Sequence, residues 1–145
     1  MNISSAQNNI NRVIEALIIL FQNEHFDSRF IAVKALKGLG VHAQVAIEPL
    51  IALLKDERWY VRASVAEALG QLQAEAAIKP LIALLKDEHW PVRYHAAEAI
   101  GELKAKTAIE PLIALLGYED DSDVRVSARW ALKQIRGDAV ETAGT

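Results

Sequence analysis

The sequence contains no cysteine. A disulfide framework and a thiolate metal site are therefore both excluded. It also lacks an excess of charge: 16 basic residues face 19 acidic ones, for a net charge of −3. That balance gives no overall electrostatic reason to expect nucleic acid or an anionic membrane as a partner. Long apolar runs are missing too. The longest, Ala16 to Phe21, is far too short to span a bilayer. The opening MNISSAQNNINR has no basic region leading into an apolar one, so no secretory signal is expected. No stretch alternates apolar and polar residues with period two, so strands are not expected. What is present is apolar: 52% of 145 residues, enough for one domain with a continuous core and too much for a disordered chain. A soluble cytoplasmic protein is the expectation.

The chain repeats itself. AIEPLIALLKDERWYVRASVAEALGQL from Ala46 returns as AIKPLIALLKDEHWPVRYHAAEAIGEL from Ala77 and as AIEPLIALLGYEDDSDVRVSARWALKQI from Ala108. Pro49, Pro80 and Pro111 fall 31 residues apart. A more divergent copy, VIEALIILFQNEHFDSRFIAVKALKGL, precedes them from Val13. Arg29, Arg62, Arg93 and Arg125 match across the four copies in steps of 33, 31 and 32, which places small insertions near 42–45 and within 118–123. The copies run over about 9–40, 41–73, 74–104 and 105–136 as one domain, with a disordered tail expected over 137–145.

Each copy divides into two helical halves. In the first, Ile78, Leu81, Ile82 and Leu85 stand at i, i+3, i+4 and i+7, one apolar stripe of a helix. Proline sits early in that half, where its missing N–H costs little. In the second, Val61, Val65, Ala68, Leu69 and Leu72 share a face, and small residues such as Ala66 and Ala68 permit close approach. The link KDERW is short and polar, as a helical hairpin requires. One hairpin cannot bury both its faces, whereas stacked hairpins bury a continuous core. The expected architecture is all-α, a right-handed α-solenoid of about four two-helix repeats and about eight helices.

The pattern LxxLLxD…VRxxAxxALGxL resembles the HEAT repeat, and most closely the short HEAT-like variety of phycocyanobilin lyase subunits; designed α-helical repeat proteins are similar. The resemblance is carried by Asp56 with Val61 and Arg62, by Asp87 with Val92 and Arg93, and by AEALG and AEAIG ending at Gly70 and Gly101. It implies a structural ladder that ties neighbouring hairpins through Asp56 and Arg62 and through Asp87 and Arg93. Arg29 and Arg125 occupy the matching positions at the two ends, where Asn23 and an acidic loop make the ladder weaker. The resemblance also implies that the second helices line a concave side. Fold alone does not assign function, because this fold hosts unrelated roles.

One face of the second helices varies between otherwise near-identical copies. It holds Trp59, Tyr60, Ser64 and Glu67, then Trp90, Tyr94, His95 and Glu98, then Trp130, with Phe30 in the first copy. All three tryptophans lie on it. Large rigid side chains suit protein interfaces, and Glu67, Glu98 and Glu102 favour a partner with basic and apolar groups. The expected function is a non-catalytic scaffold that binds a protein or peptide on this face. The alternative, implied by the resemblance, is a lyase-related subunit or chaperone that handles a phycobilin. The first copy is the most apolar at its outer edge, through Ile19, Phe30 and Ile31, and a homodimer through it is expected.

Catalytic chemistry finds no motif. His25, His42, His89 and His95 form no H-E-x-x-H and no i, i+4 pair. The HEAT-like di-iron enzyme deoxyhypusine hydroxylase uses paired His-Glu dipeptides; Ala63-Ser64 and Tyr94-His95 stand there instead, so no metal and no cofactor is expected. No glycine-rich phosphate loop occurs, and the run Glu119, Asp120, Asp121 and Asp123 lacks the pattern of a calcium loop. Basic residues form no stripe for nucleic acid.

Overall fold

A computed structural model describes residues 3–137. Among them are eight α-helices and no strand: α1 (Ile3–Phe21), α2 (Phe26–Gly38), α3 (Ile47–Leu53), α4 (Trp59–Gln71), α5 (Ile78–Ala83), α6 (Trp90–Glu102), α7 (Ile109–Tyr118) and α8 (Ser122–Arg136). The tail expected to be disordered lies, from residue 138, outside the described residues. Among the described residues, no helix is long and apolar enough to cross a membrane.

The helices pair as hairpins, α1 with α2, α3 with α4, α5 with α6 and α7 with α8. The second helices also stack on one another, α2 on α4, α4 on α6 and α6 on α8. The core runs between the two layers. Leu50, Leu81 and Leu112 of the first helices and Val61, Val92 and Val124 of the second are all fully buried. Each such side chain contributes about 1.5–3 kcal/mol by leaving water, and the period repeats that contribution in every hairpin.

The prolines stand third in α3, α5 and α7, where an N–H would have no partner within the helix. The first-helix layer is less regular than its apolar stripe suggests. Its last turn in the third copy tightens to a 3₁₀ turn, Leu84–Lys86, closed by the Asp87 N–H on the Leu84 carbonyl at 3.1 Å. Further 3₁₀ segments, Gly40–Ala46, Glu75–Ala77 and Lys106–Ala108, join one hairpin to the next.

Two backbone features set how the second helices leave and approach. After α4 the Ala74 N–H reaches the Leu69 carbonyl at 3.0 Å and the Gln73 N–H reaches Gly70 at 3.1 Å; after α6 Ala105 and Lys104 do the same with Ile100 and Gly101. This cap requires a left-handed residue. Gln73 and Lys104 supply it at φ 55° and 52°, where the first copy uses Gly40 at 56°. The second feature is Gly70. A Cβ there would lie 2.7 Å from the Ala99 Cα, so α4 and α6 touch backbone to backbone.

Candidate functional site

Every hairpin turn is built alike. Asn23, Asp56, Asp87 and Glu119 each accept the backbone N–H two residues on, at 2.8, 2.9, 3.0 and 3.1 Å. Six residues later an arginine donates its Nη1 back to the carbonyl of that residue: Arg29 to Asn23, Arg62 to Asp56, Arg93 to Asp87 and Arg125 to Glu119. The rest of the guanidinium turns to the next hairpin. Arg62 meets Asp87 through Nε at 2.8 Å and Nη2 at 3.1 Å. Arg93 meets Glu119 at 2.6 and 2.9 Å. The carboxylate pairing thus runs from one repeat to the next, not between Asp56 and Arg62 or between Asp87 and Arg93. Within a repeat the arginine touches only the backbone of its aspartate.

Two participants escaped the sequence reading. Arg58 takes the Asp56 carboxylate at 2.8 and 2.9 Å and reaches back to the Gln22 carbonyl at 2.8 Å. It stands where the first and third copies have His25 and His89, and that departure was the available signal. Glu119 is the carboxylate of the last junction, 5% exposed. Burial works to raise its pKa, and the Arg93 hydrogen bonds with the Asp121 N–H outweigh that and hold it below the usual range. Asp87 is depressed in the same way by Arg62 and the His89 N–H against its burial. The Arg58 hydrogen bond lowers Asp56.

The expected binding residues separate into four groups. Tyr60 and Ser64 belong to the first junction: the Arg29 guanidinium lies 4.6 Å from the Tyr60 ring centre and its Nε donates to Ser64 Oγ at 3.1 Å. Trp59 and Trp90 lie at the hairpin-turn edge. Trp59 stacks on His89 at 5.9 Å, and Trp90 lines a cleft of about 790 Å³ with Arg93, Tyr118 and Glu119. Phe30 stacks on Phe26 at 5.9 Å, far along the first copy.

The fourth group comes together. Tyr94, Glu98 and Glu102 of α6 and Val126, Ser127 and Trp130 of α8 line a cleft of about 330 Å³ between those helices. Gly101 makes it: a Cβ there would lie 2.6 Å from Trp130 Cζ3, so the indole rests on bare helix backbone. Beside the cleft, His95 Nδ1 lies 3.3 Å from Glu98 Oε1, and Gln71 donates to Glu67 at 3.3 Å. Burial raises the Glu67 carboxyl, and burial followed by repulsion from Glu98 pushes Glu102 up to about 7. Lys37 of α2 and His95 act against that rise, and Glu67 adds to it.

Glu102 therefore carries a proton in the folded protein at pH values where it has lost it in the unfolded chain. Its contribution to stability is complete below about pH 4.5 and disappears as pH rises through about 7. Glu102→Gln should raise Tm at pH 8 by about 2–4 °C, roughly 1 kcal/mol once the solvent screening of a half-exposed group is allowed for. It should leave Tm unchanged at pH 4. Thermal melts followed by circular dichroism at the two pH values check this.

Among the described residues no three His, Asp or Glu side chains are grouped to hold a metal ion. A family model described as HEAT repeats matches residues 47–133. No curated protein matches the chain. Among solved structures, a chain of the complex of CpcE and CpcF of phycocyanin lyase from Nostoc sp. PCC7120 is similar, with TM-score 0.62 and 25% identity over 88% of this chain and 66% of that one. An engineered protein is similar in fold, with TM-score 0.57 and 24% identity over 85% of this chain and 62% of the other. The chain thus spans just under two thirds of the length of either.

Proposed function

The chain belongs to the HEAT-repeat family, and from that premise we propose that it is a non-catalytic cytoplasmic scaffold that binds a protein or peptide on the face of its second helices. The observation that carries this reading is the cleft between α6 and α8, where the copies differ most and where Tyr94 and Trp130 stand beside carboxylates. Aromatic anchors in a partly desolvated recess are the usual centre of a protein interface. Replacing Tyr94, His95 and Trp130 together by alanine should leave helix content unchanged and weaken the partner about a hundredfold. The test is capture with the wild-type chain, purification of what is retained, and calorimetric titration of both chains with it. Equal affinity for the variant, or loss of its helices, counts against the reading.

The similarity to a chain of the CpcE–CpcF complex favours a second reading, that of a subunit handling a bilin. A shift in the absorbance of free phycocyanobilin on mixing with the chain would support it; an unchanged spectrum would remove it.

Self-association through the first hairpin is part of the proposal. Ser64 and Ser127 face the preceding repeat, where they meet Arg29 and the Tyr94 carbonyl. At the matching position of α2 stands Ile31, 56% exposed, with Val13, Ile19, Phe26 and Phe30 also exposed on this hairpin. Sedimentation should give a dimer at about 10 µM, the range expected of a modest apolar contact. Ile31→Glu should return it to monomer; a wild-type chain that is monomeric at that concentration contradicts the dimer.

A further inference from the structure

The cleft between α6 and α8 has aromatic walls and a negative lining. None of its six lining residues carries a positive charge. The Ser127 hydroxyl is already committed, donating to the Tyr94 carbonyl at 2.9 Å. The side chains left to meet a ligand are the Tyr94 and Trp130 rings, Val126, the Glu102 carboxyl and the Glu98 carboxylate, whose Oε1 also faces His95. The negative field is felt locally: after burial, Glu98, Asp123 and Glu67 raise the Tyr94 hydroxyl. At about 330 Å³ the recess accommodates one extended side chain and not a helix.

A cation answers both features. Aromatic faces attract it, and it relieves carboxylates that repel one another. Arginine fits better than lysine, because a planar guanidinium stacks on a ring while its fork of N–H donors meets carboxylates, and it is more weakly hydrated than an ammonium. Resting on the reading of the second-helix face as the binding surface, we propose that this cleft takes one arginine side chain of the partner protein. Its plane lies against Tyr94 and Trp130 and its donors engage Glu98 and Glu102.

The test uses the full chain, ¹⁵N-labelled, at about pH 8, above the value of about 7 at which Glu102 loses its proton, titrated with N-acetyl-arginine amide and in parallel with N-acetyl-citrulline amide, which keeps the shape and loses the charge. The indole N–H resonance of Trp130 should move saturably with arginine in about the millimolar range, as befits a ligand of this size. Those of Trp59 and Trp90 should stay in place. Citrulline should bind about tenfold more weakly or not at all. Glu98→Gln with Glu102→Gln should weaken arginine by about tenfold; if that pair disturbs the helices, Glu98→Gln alone is used, with about a threefold loss expected. Equal binding of citrulline, a response confined to Trp59 and Trp90, or an arginine response the carboxamide variants retain overturns the proposal. If arginine fails while the captured partner still loses affinity for the triple-alanine chain, only the arginine site falls. If arginine binds while the partner is indifferent to that chain, the scaffold reading falls instead.

Discussion

Alanine at Arg93 should destabilise the fold by about 3 kcal/mol, the low end of the cost of leaving a buried charge without its partner. Three acceptors lose their donor at once: the Glu119 carboxylate and the Asp87 and Glu88 carbonyls. The Glu119 side chain is only 2% exposed behind the guanidinium and would keep the Asp121 N–H, so water must enter from the adjoining cleft to solvate it. For a chain of this length, 3 kcal/mol corresponds to a fall in Tm of about 10 °C. Arg93→Met with Glu119→Leu should recover part of it, because the unpaired charge is gone, but not all, because the partly buried Asp87 carbonyl loses its donor. Thermal melts of the single and double variants decide this; a single variant within about 0.5 kcal/mol of wild type would reduce the pair to the standing of a surface salt bridge. Acid should act on the same pair. The depressed Glu119 contributes above its unfolded pKa, and that contribution is lost as pH falls through its lower folded value.

Gly70→Ala should also destabilise, by about 1 kcal/mol net. Overpacking costs about 1–3 kcal/mol, and here the clash is with the Ala99 backbone, which cannot rotate away, so α4 and α6 must part. The gain of about 1 kcal/mol in helix propensity does not offset it. Gly117→Ala is the internal control. It lies within α7, and a Cβ there would meet nothing within 4 Å, so the same substitution should stabilise by about 0.5 kcal/mol. Denaturant titrations should give opposite signs at the two positions. A stabilised Gly70→Ala chain would mean that the two helices stand farther apart. At Gly101 a Cβ would lie 2.6 Å from the Trp130 indole and 2.9 Å from the Ala131 Cα; alanine there should disturb the cleft and also push α6 and α8 apart.

The repeat made the fold legible. Prolines 31 residues apart, an apolar stripe and a short polar link were sufficient, because they are local signals copied in every hairpin. The register of the ladder was not legible in the same way. Asp56 and Arg62 are neighbours in the chain, but the arginine starts a second helix and projects along the stack, so its carboxylate comes from the following copy. Arg58 diverts Asp56 by being closer than Arg29 to that carboxylate, a competition that spacing does not report. In the last copy Glu119, Asp120, Asp121 and Asp123 offered four acids in one turn. Only the observed loop selects Glu119 for Arg93 and leaves Asp121 to cap α8 through the N–H groups of Asp123 and Val124. The candidate cleft was half visible. Comparing copies picks out Tyr94, Glu98 and Trp130, whereas the engagement of Tyr60 and Ser64 by Arg29 depends on a stacking contact between repeats. The left-handed Gln73 and Lys104 gave no signal in their own residue types; only Gly40 at the matching position of the first copy advertises that conformation.

The three junctions of the ladder are unequal. Arg93 and Arg62 each grip a carboxylate of the next hairpin, whereas Arg29 finds only a neutral hydroxyl and a ring. In a stack, stability is close to a sum over neighbouring pairs, so the chain has a weak end and a strong one. Amides of α1 and α2 should exchange with solvent through openings of the first hairpin alone, while those of α6 and α8 wait for the whole molecule to unfold. The array unravels with a direction, and the hairpin that lets go first is also the one whose apolar outer surface is bare.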